Sequence, residues 1–169
     1  IQAVSVGEME AIGPLLRQLK ATGKAEIILT TTTSTGFRLA QDRYADVADR
    51  IGIFPTDLWP CSALAWSRIR PDAVILVEGE LWPEHLAQAR AHGVPATLIN
   101  GRISDKSFAR HQHFPRLSTY VLGHFRKIAA GSEEDVRRFR ELGFEATLTG
   151  NIKFDVASDA PMSADERSQ

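Results

Sequence analysis

The chain has 169 residues, close to the size of one domain, and its 20 Lys and Arg against 21 Asp and Glu give a formal net charge of −1. This balance excludes a global field that would draw the chain to nucleic acid or to an anionic membrane, so any anion site must be local. The single cysteine, Cys61, excludes an internal disulfide and fits a reducing compartment such as the cytoplasm.

Short apolar runs rich in β-branched residues predict seven strands along the chain. They lie at 3–6, 27–31, 51–54, 73–77, 96–99, 127–130 and 146–149. Most are followed by apolar residues at helical spacing, as in Ile12, Leu15 and Leu16. Strands that alternate with helices predict an α/β fold with a Rossmann-like parallel sheet and helices on both faces.

Proline and glycine set the expected helix ends. Gly23 and Gly143 are predicted C-terminal stops, and Pro83 fits the first turn of a helix. The third crossover contains Pro55 and Pro60, which predicts a helix that begins near Cys61.

Polar residues and glycines follow nearly every predicted strand. The carboxyl ends of parallel strands meet at one edge of a sheet, where helix amino-termini and loop amides converge on ligands. We therefore expect the active cleft along that edge.

Glu8 follows the first strand and Gly7 and opens the first helix. One interpretation is a first-turn acid that stabilises the helix dipole by a few tenths of a kcal/mol to about 1 kcal/mol. The other is a general base that faces the cleft. Position alone leaves both open.

Two further carboxylates, Glu78 and Glu80, end the most apolar strand and point the same way in extended geometry. Two carboxylates on one side repel each other, so at least one needs a partner or a raised pKa. Lys153 is a candidate cation, although spacing alone favours a solvated lysine before Phe154.

The run Thr30–Gly36 joins a strand to a helix, so its hydroxyls and amides can cradle a phosphate or sugar hydroxyls. It lacks the Gly-Lys-Ser/Thr ending of a Walker motif, and Gly36 can equally serve tight packing. The segment 131–135 is typical of an N-cap followed by first-turn acids, which is a structural role.

Basic and aromatic residues alternate between Arg102 and Arg126, which suits an amphiphilic anion or, equally, a helical hairpin with a solvated basic face. His111 and His113 have no third ligand nearby, so we predict no metal site.

Six motifs in this order and spacing resemble the Kdo transferase family, where Kdo is 3-deoxy-D-manno-octulosonic acid. They are Ser5-Val-Gly-Glu8, Thr30–Gly36, Glu78-Gly-Glu-Leu-Trp-Pro83, Asn100-Gly-Arg-Ile-Ser104, Gly131-Ser-Glu-Glu-Asp135 and Gly150-Asn-Ile-Lys-Phe-Asp155. The resemblance implies one half of a two-domain GT-B glycosyltransferase that is inverting, uses no metal or other cofactor, and moves Kdo from CMP-Kdo to a lipid A precursor.

The resemblance also implies residue roles. Glu8 falls on the proton acceptor of the family, and Glu78 and Lys153 fall on the residues credited with stabilising the transition state. For acceptor binding we expect Ser34, Thr35, Gly36, Glu80, Arg102 and Ser104.

By this resemblance, residues 1–156 are the acceptor-binding domain and 157–169 a polar tail or interdomain linker, while the donor-binding domain lies outside the chain. The full-length protein is expected at the cytoplasmic face of the bacterial inner membrane. Two alternatives stay open: another sugar-nucleotide enzyme of this architecture, such as a different glycosyltransferase or a 2-epimerase, and a non-catalytic module that binds anionic lipid.

Overall fold

A computed structural model describes residues 1–79 and 81–153. Within these residues helices and strands alternate over most of the chain, as the sequence predicts. The helices are α1 (Val6–Ala11), α2 (Gly13–Ala21), α3 (Ser34–Tyr44), α4 (Trp59–Ile69), α5 (Pro83–Ala91), α6 (Asp105–His113), α7 (Pro115–Leu122) and α8 (Glu133–Glu141). The strands are β1 (Ile28–Thr31), β2 (Arg50–Ile53), β3 (Val74–Val77), β4 (Ala96–Gly101), β5 (Phe125–Ala130) and β6 (Thr147–Leu148).

The strands pair in parallel, β1 with β2 on one side and β3, β4, β5 and β6 in that order on the other. Gln2 joins the two groups, because it forms parallel bridges to both Thr30 and Leu76. The start of the chain therefore lies between β1 and β3, and the strand order reverses there. In open α/β sheets the crevice at such a reversal is where ligands bind.

The predicted first strand at 3–6 is wrong in extent. Its pairing is confined to the bridges of Gln2, and α1 already begins at Val6. The reason is local: the side chain of Ser5 accepts a hydrogen bond from the backbone N–H of Glu8 and so starts a helix where an apolar run predicted a strand.

Apolar side chains cover both faces of the sheet. Leu76 and Val77 are neighbours on β3 and are 1% and 0% exposed, yet Leu76 packs with Leu98 and Phe139 while Val77 packs with Met9 in a separate cluster. Successive strand residues point to opposite faces, so each face has its own core. The Rossmann-like α/β prediction is confirmed.

Helix ends follow the expected residues closely. Gly23 and Gly143 have φ of 64° and 89°, the left-handed conformation that stops a helix, and Pro83 opens α5. Helix α4 begins at Trp59, two residues before Cys61, because Pro60 is accommodated within its first turn.

Three buried or half-buried histidines make stability depend on pH. Burial lowers the pKa of His85, His111 and His124 below the ordinary value of 6.5, and nearby Arg110 and Arg90 add to this at His111 and His124. The unfolded chain then binds more protons than the folded one as the pH falls below about 6.5. We expect these histidines to leave the free energy of unfolding unchanged above about pH 6.5 and to lower it as the pH falls below that value.

Melting temperatures at pH 7.5 and 5.5 test this. His85 Nδ1 accepts a hydrogen bond from Trp66 Nε1 at 3.2 Å, and a glutamine oxygen at this position can accept the same bond. His85→Gln should therefore reduce the fall in melting temperature between pH 7.5 and 5.5. The exposed His113 provides the matched control, His113→Gln. Equal acid losses in the wild type and His85→Gln would contradict the assignment.

Candidate active site

Glu8 is held at the start of α1 by a reciprocal pair of bonds with Ser5. The Ser5 hydroxyl oxygen accepts from the Glu8 backbone N–H at 3.1 Å and the hydroxyl donates to Glu8 Oε1 at 3.0 Å. Glu8 Oε2 accepts from the Val4 N–H at 3.0 Å, and the residue is 6% exposed. The capping interpretation is thus real, but each carboxylate oxygen has a second lone pair left for a ligand proton.

The threonine hydroxyls after β1 fasten the start of the chain. Thr30 Oγ1 donates to Gln2 Oε1 at 2.7 Å, and Thr31 and Thr33 both donate to the Val4 carbonyl at 3.2 Å. These hydroxyls hold the segment that leads into Glu8, so part of the predicted phosphate or sugar cradle has a structural use.

The three predicted ligand residues of this run differ in their access. A Cβ on Gly36 would lie 2.5 Å from Thr31 Oγ1, and the Gly36 N–H donates to Thr33 Oγ1 at 3.0 Å, so buried Gly36 serves close packing. Ser34 and Thr35 are exposed in the first turn of α3. Of these three residues, they are the two that a ligand can reach.

The extended geometry predicted for Glu78 is wrong, because β3 ends at Val77 and Glu78 lies in a turn with φ of 59°. In this turn Glu78 forms an ion pair with Lys153. Lys153 Nζ lies 2.6 Å from Glu78 Oε1, and the same oxygen accepts from Asn100 Nδ2 at 3.3 Å. The Glu78 side chain is 18% exposed and that of Lys153 is 40% exposed, so a ligand can approach both. The sequence predicts Lys153 as a candidate cation for this carboxylate, and in the structure the two side chains are in contact.

Lys153 reaches Glu78 because the chain returns along the strand ends after β6. Ile152, its neighbour, packs against the cluster that contains Val77 and Met9, well away from β6 in the sheet order. Glu8 follows the segment that contains Gln2, and Glu78 follows the neighbouring strand β3. Glu8, Glu78 and Lys153 therefore lie at the same edge of the sheet, at the point where the strand order reverses.

A cleft of about 800 Å³ adjoins Glu78, and its lining includes both basic and acidic side chains, namely Arg102, Lys106, Arg110 and Arg138 and the acids Asp105, Glu134 and Asp135. Ser104 also lines the cleft; it is exposed, like Arg102, and its hydroxyl caps α6 by accepting from the Ser107 N–H at 3.3 Å. Asp105 and Glu134 pair with Arg138. The other three basic side chains favour a ligand with a phosphate group.

Helix α8 fixes the loop that carries Arg102. Ser132 caps α8 as predicted, but Asp135, 8% exposed, also accepts from the Ile103 N–H at 2.9 Å. Arg138 donates to the Ile103 carbonyl at 2.5 Å and pairs with Asp105. Sequence reasoning gave this motif a local capping role and missed its contact with the cleft, because nothing local signals a partner about thirty residues away.

The basic and aromatic segment forms the two short helices α6 and α7. Phe114, Leu117 and Tyr120 are 52%, 53% and 51% exposed, whereas Phe108 and Phe125 pack against the core. The aromatic surface is therefore smaller than the sequence pattern indicates and lies on α7 and the turn before it.

Some predictions fall outside the described residues: Glu80 as an acceptor contact, the Phe154-Asp155 end of the last motif, and the tail 157–169. Among the described residues no cluster of three or more His, Cys, Asp or Glu side chains is arranged to hold a metal ion. No helix in the described ranges has the length and apolar character needed to cross a membrane.

Comparison with known proteins gives consistent relatives. The family model described as 3-Deoxy-D-manno-octulosonic-acid transferase (kdotransferase) matches residues 1–156. The 3-deoxy-D-manno-octulosonic acid transferase of Bordetella pertussis is 33% identical over 162 residues, covering 93% of this chain and 38% of that protein. The transferase of the same name from Haemophilus influenzae is 31% identical, with 92% and 37% covered. The chain thus spans less than two-fifths of the length of these relatives.

A solved structure supports the architecture. A putative UDP-N-acetylglucosamine 2-epimerase from Listeria monocytogenes superposes with a TM-score of 0.69 over 96% of this chain and 47% of that protein, at 10% sequence identity. At this identity the similarity concerns the fold alone. The family match over residues 1–156 shows that the chain belongs to the 3-deoxy-D-manno-octulosonic-acid transferase family.

Proposed function

We propose that the protein containing this chain is an inverting glycosyltransferase that moves Kdo from CMP-Kdo to a lipid A precursor, and that this chain is its acceptor-binding half. The observation that carries the proposal is the pairing of Lys153 with Glu78 at 2.6 Å on the strand edge that also presents Glu8. A transfer centre needs a proton acceptor and charged groups around the breaking bond, and these three residues supply them.

Glu8 takes the proton of the acceptor hydroxyl as that oxygen attacks the anomeric carbon of Kdo and CMP leaves. The sugar centre becomes oxocarbenium-like, so the carboxylate of Glu78 opposes its positive charge. Lys153 offsets the negative charge of the departing phosphate or of the Kdo carboxylate. None of these steps requires a metal ion.

The acceptor is assigned to the cleft beside Glu78. Arg102, Lys106 and Arg110 provide positive charge for the phosphate of a lipid A precursor. The exposed side chains of Phe114 and Tyr120 suit its acyl chains and a membrane surface. The family resemblance implies the cytoplasmic face of the inner membrane as the location of the full-length protein, and this localisation is part of the proposal. Ser34, Thr35 and Glu80 complete the proposed acceptor contacts.

Arg102→Ala in the full-length protein tests the acceptor assignment. We expect the acceptor KM to rise, most strongly at low salt where charge interactions are least screened, while the donor KM changes little. Arg68→Ala, which removes an exposed arginine from the end of α4, is the matched control and should leave both constants unchanged. An effect of Arg102→Ala confined to the donor KM would contradict the assignment.

The reaction itself is tested by supplying the full-length protein with CMP-Kdo and a lipid A precursor, or with UDP-N-acetylglucosamine. The proposal is supported if CMP is released only when the lipid is present and if the lipid gains the mass of Kdo. Epimerisation of UDP-N-acetylglucosamine, or lipid binding with no turnover of either donor, would favour the alternatives.

The 169-residue chain alone should not transfer Kdo, because the donor is expected to contact mainly another domain.

A further inference from the structure

Strand β4 carries an extra residue beside Glu78. Leu98 pairs with Ile128 and Gly101 with Ala130, so β4 advances three residues while β5 advances two. Asn100 lies within this bulge and has φ of 50°, a left-handed conformation that asparagine tolerates better than most residues. Bulges of this kind redirect side chains, and here the redirected side chain contacts the candidate site.

The Asn100 side chain lies between the ion pair and Gly131, which precedes α8. It is 1% exposed, and its Nδ2 donates to the Glu78 oxygen that also receives Lys153. On the other side, a Cβ added to Gly131 would lie 2.6 Å from Asn100 Oδ1. The absence of a side chain at Gly131 therefore leaves the space in which this carboxamide fits.

The position is an unfavourable one for a polar group. Within residues 1–79 and 81–153, Asn100 Oδ1 is buried without a hydrogen-bond partner, and the backbone is in a region that most residues avoid. Packing alone would be served better by an apolar side chain in an unbulged strand. The feature the arrangement provides is a neutral donor fixed against one oxygen of Glu78.

We propose that Asn100 is a positioning residue for Glu78, and that Gly131 provides the space that keeps its carboxamide in place. The assignment of a role in transfer rests on the proposed function of Glu78. Lys153 is the mobile partner, since its half-exposed ammonium can turn to an anionic substrate group, whereas buried Asn100 keeps its bond. Glu78 then keeps its orientation when Lys153 engages the donor.

Nuclear magnetic resonance of the 169-residue chain tests the positioning without reference to turnover. At fixed pH, the side-chain amide signals of Asn100 should differ between the wild type and Glu78→Gln, because the substitution replaces the carboxylate that accepts from Asn100 Nδ2 by a neutral amide. Asn100→Gly keeps the left-handed backbone without the carboxamide, and Gly131→Ala displaces the carboxamide by its added Cβ. Both should shift the side-chain carboxyl carbon signal of Glu78, because each removes the hydrogen bond from Asn100 Nδ2.

Gly52→Ala is the matched control, since a Cβ at Gly52 meets no atom within 4 Å, and it should leave the carboxyl carbon signal of Glu78 unchanged. In the full-length protein, Asn100→Gly and Gly131→Ala should lower kcat by up to about 100-fold with both KM values kept. Asn100 side-chain signals that Glu78→Gln does not move, or a Glu78 carboxyl signal unmoved in a folded Asn100→Gly or Gly131→Ala variant, would overturn the positioning role. The expected signal shifts in a protein that shows no Kdo transfer would uphold positioning and reject the proposed function.

Discussion

Replacing Lys153 with methionine in the full-length protein is expected to lower kcat by about 10² to 10³-fold, the usual cost of removing one charge-stabilising donor. Methionine keeps an unbranched stem and removes the ammonium that lies 2.6 Å from Glu78 Oε1. The departing phosphate or Kdo carboxylate then has no cation, and Glu78 retains only its bond from Asn100 among the described side chains. The measurement is kcat with saturating CMP-Kdo and acceptor.

Two comparisons make the Lys153 result specific. Lys24→Met removes an exposed lysine from the loop before β1, at the opposite edge of the sheet, and should leave kcat unchanged. The double variant Glu78→Gln/Lys153→Met should lose far less kcat than the product of the two fold-losses measured for the single variants. Residues that act as a unit do not have additive effects on the activation free energy. Near-normal turnover of Lys153→Met would contradict a role in transfer.

Glu8→Gln is expected to lower kcat by about 10² to 10⁴-fold, the usual contribution of a general base. The amide keeps the shape of the carboxylate, and its oxygen can still accept from the Val4 N–H, which bonds Glu8 Oε2 at 3.0 Å. It cannot take up a proton at working pH. Substrate KM values should change little, so the loss belongs to kcat alone.

The fold was predictable because its signals are local. Apolar runs, helical spacing and stops such as Gly23 and Gly143 each depend on a few neighbouring residues, and they placed the strands to within about two residues. The rule that parallel strands end at one edge then located the candidate site. The segment 3–6 was the exception. Its apolar run predicts a strand, but the hydrogen bond that the Ser5 side chain accepts from the Glu8 N–H starts a helix there.

The site was predictable in its charges and less so in its supports. The paired acids after β3 demanded a cation, and the family resemblance pointed to Lys153. The hydrogen bonds that Asn100 donates to Glu78 and that the Ile103 N–H donates to Asp135 join residues 22 and 32 positions apart, which no spacing pattern shows. Conversely, Phe108 and Phe125 looked like surface aromatics but pack on the core, because composition does not tell which side of a short helix or strand faces inward.

The claim on which the mechanism depends most is that Glu8 is a base and not merely the acid of a helix cap. Melting temperature and kcat measured on the same sample of Glu8→Gln separate these roles. Glu133→Gln, which changes an exposed first-turn acid of α8, is the matched control. We predict a severe loss of kcat in Glu8→Gln alone, with each variant losing at most about 1 kcal/mol of stability. Near-normal turnover of Glu8→Gln with a lowered melting temperature would contradict the account.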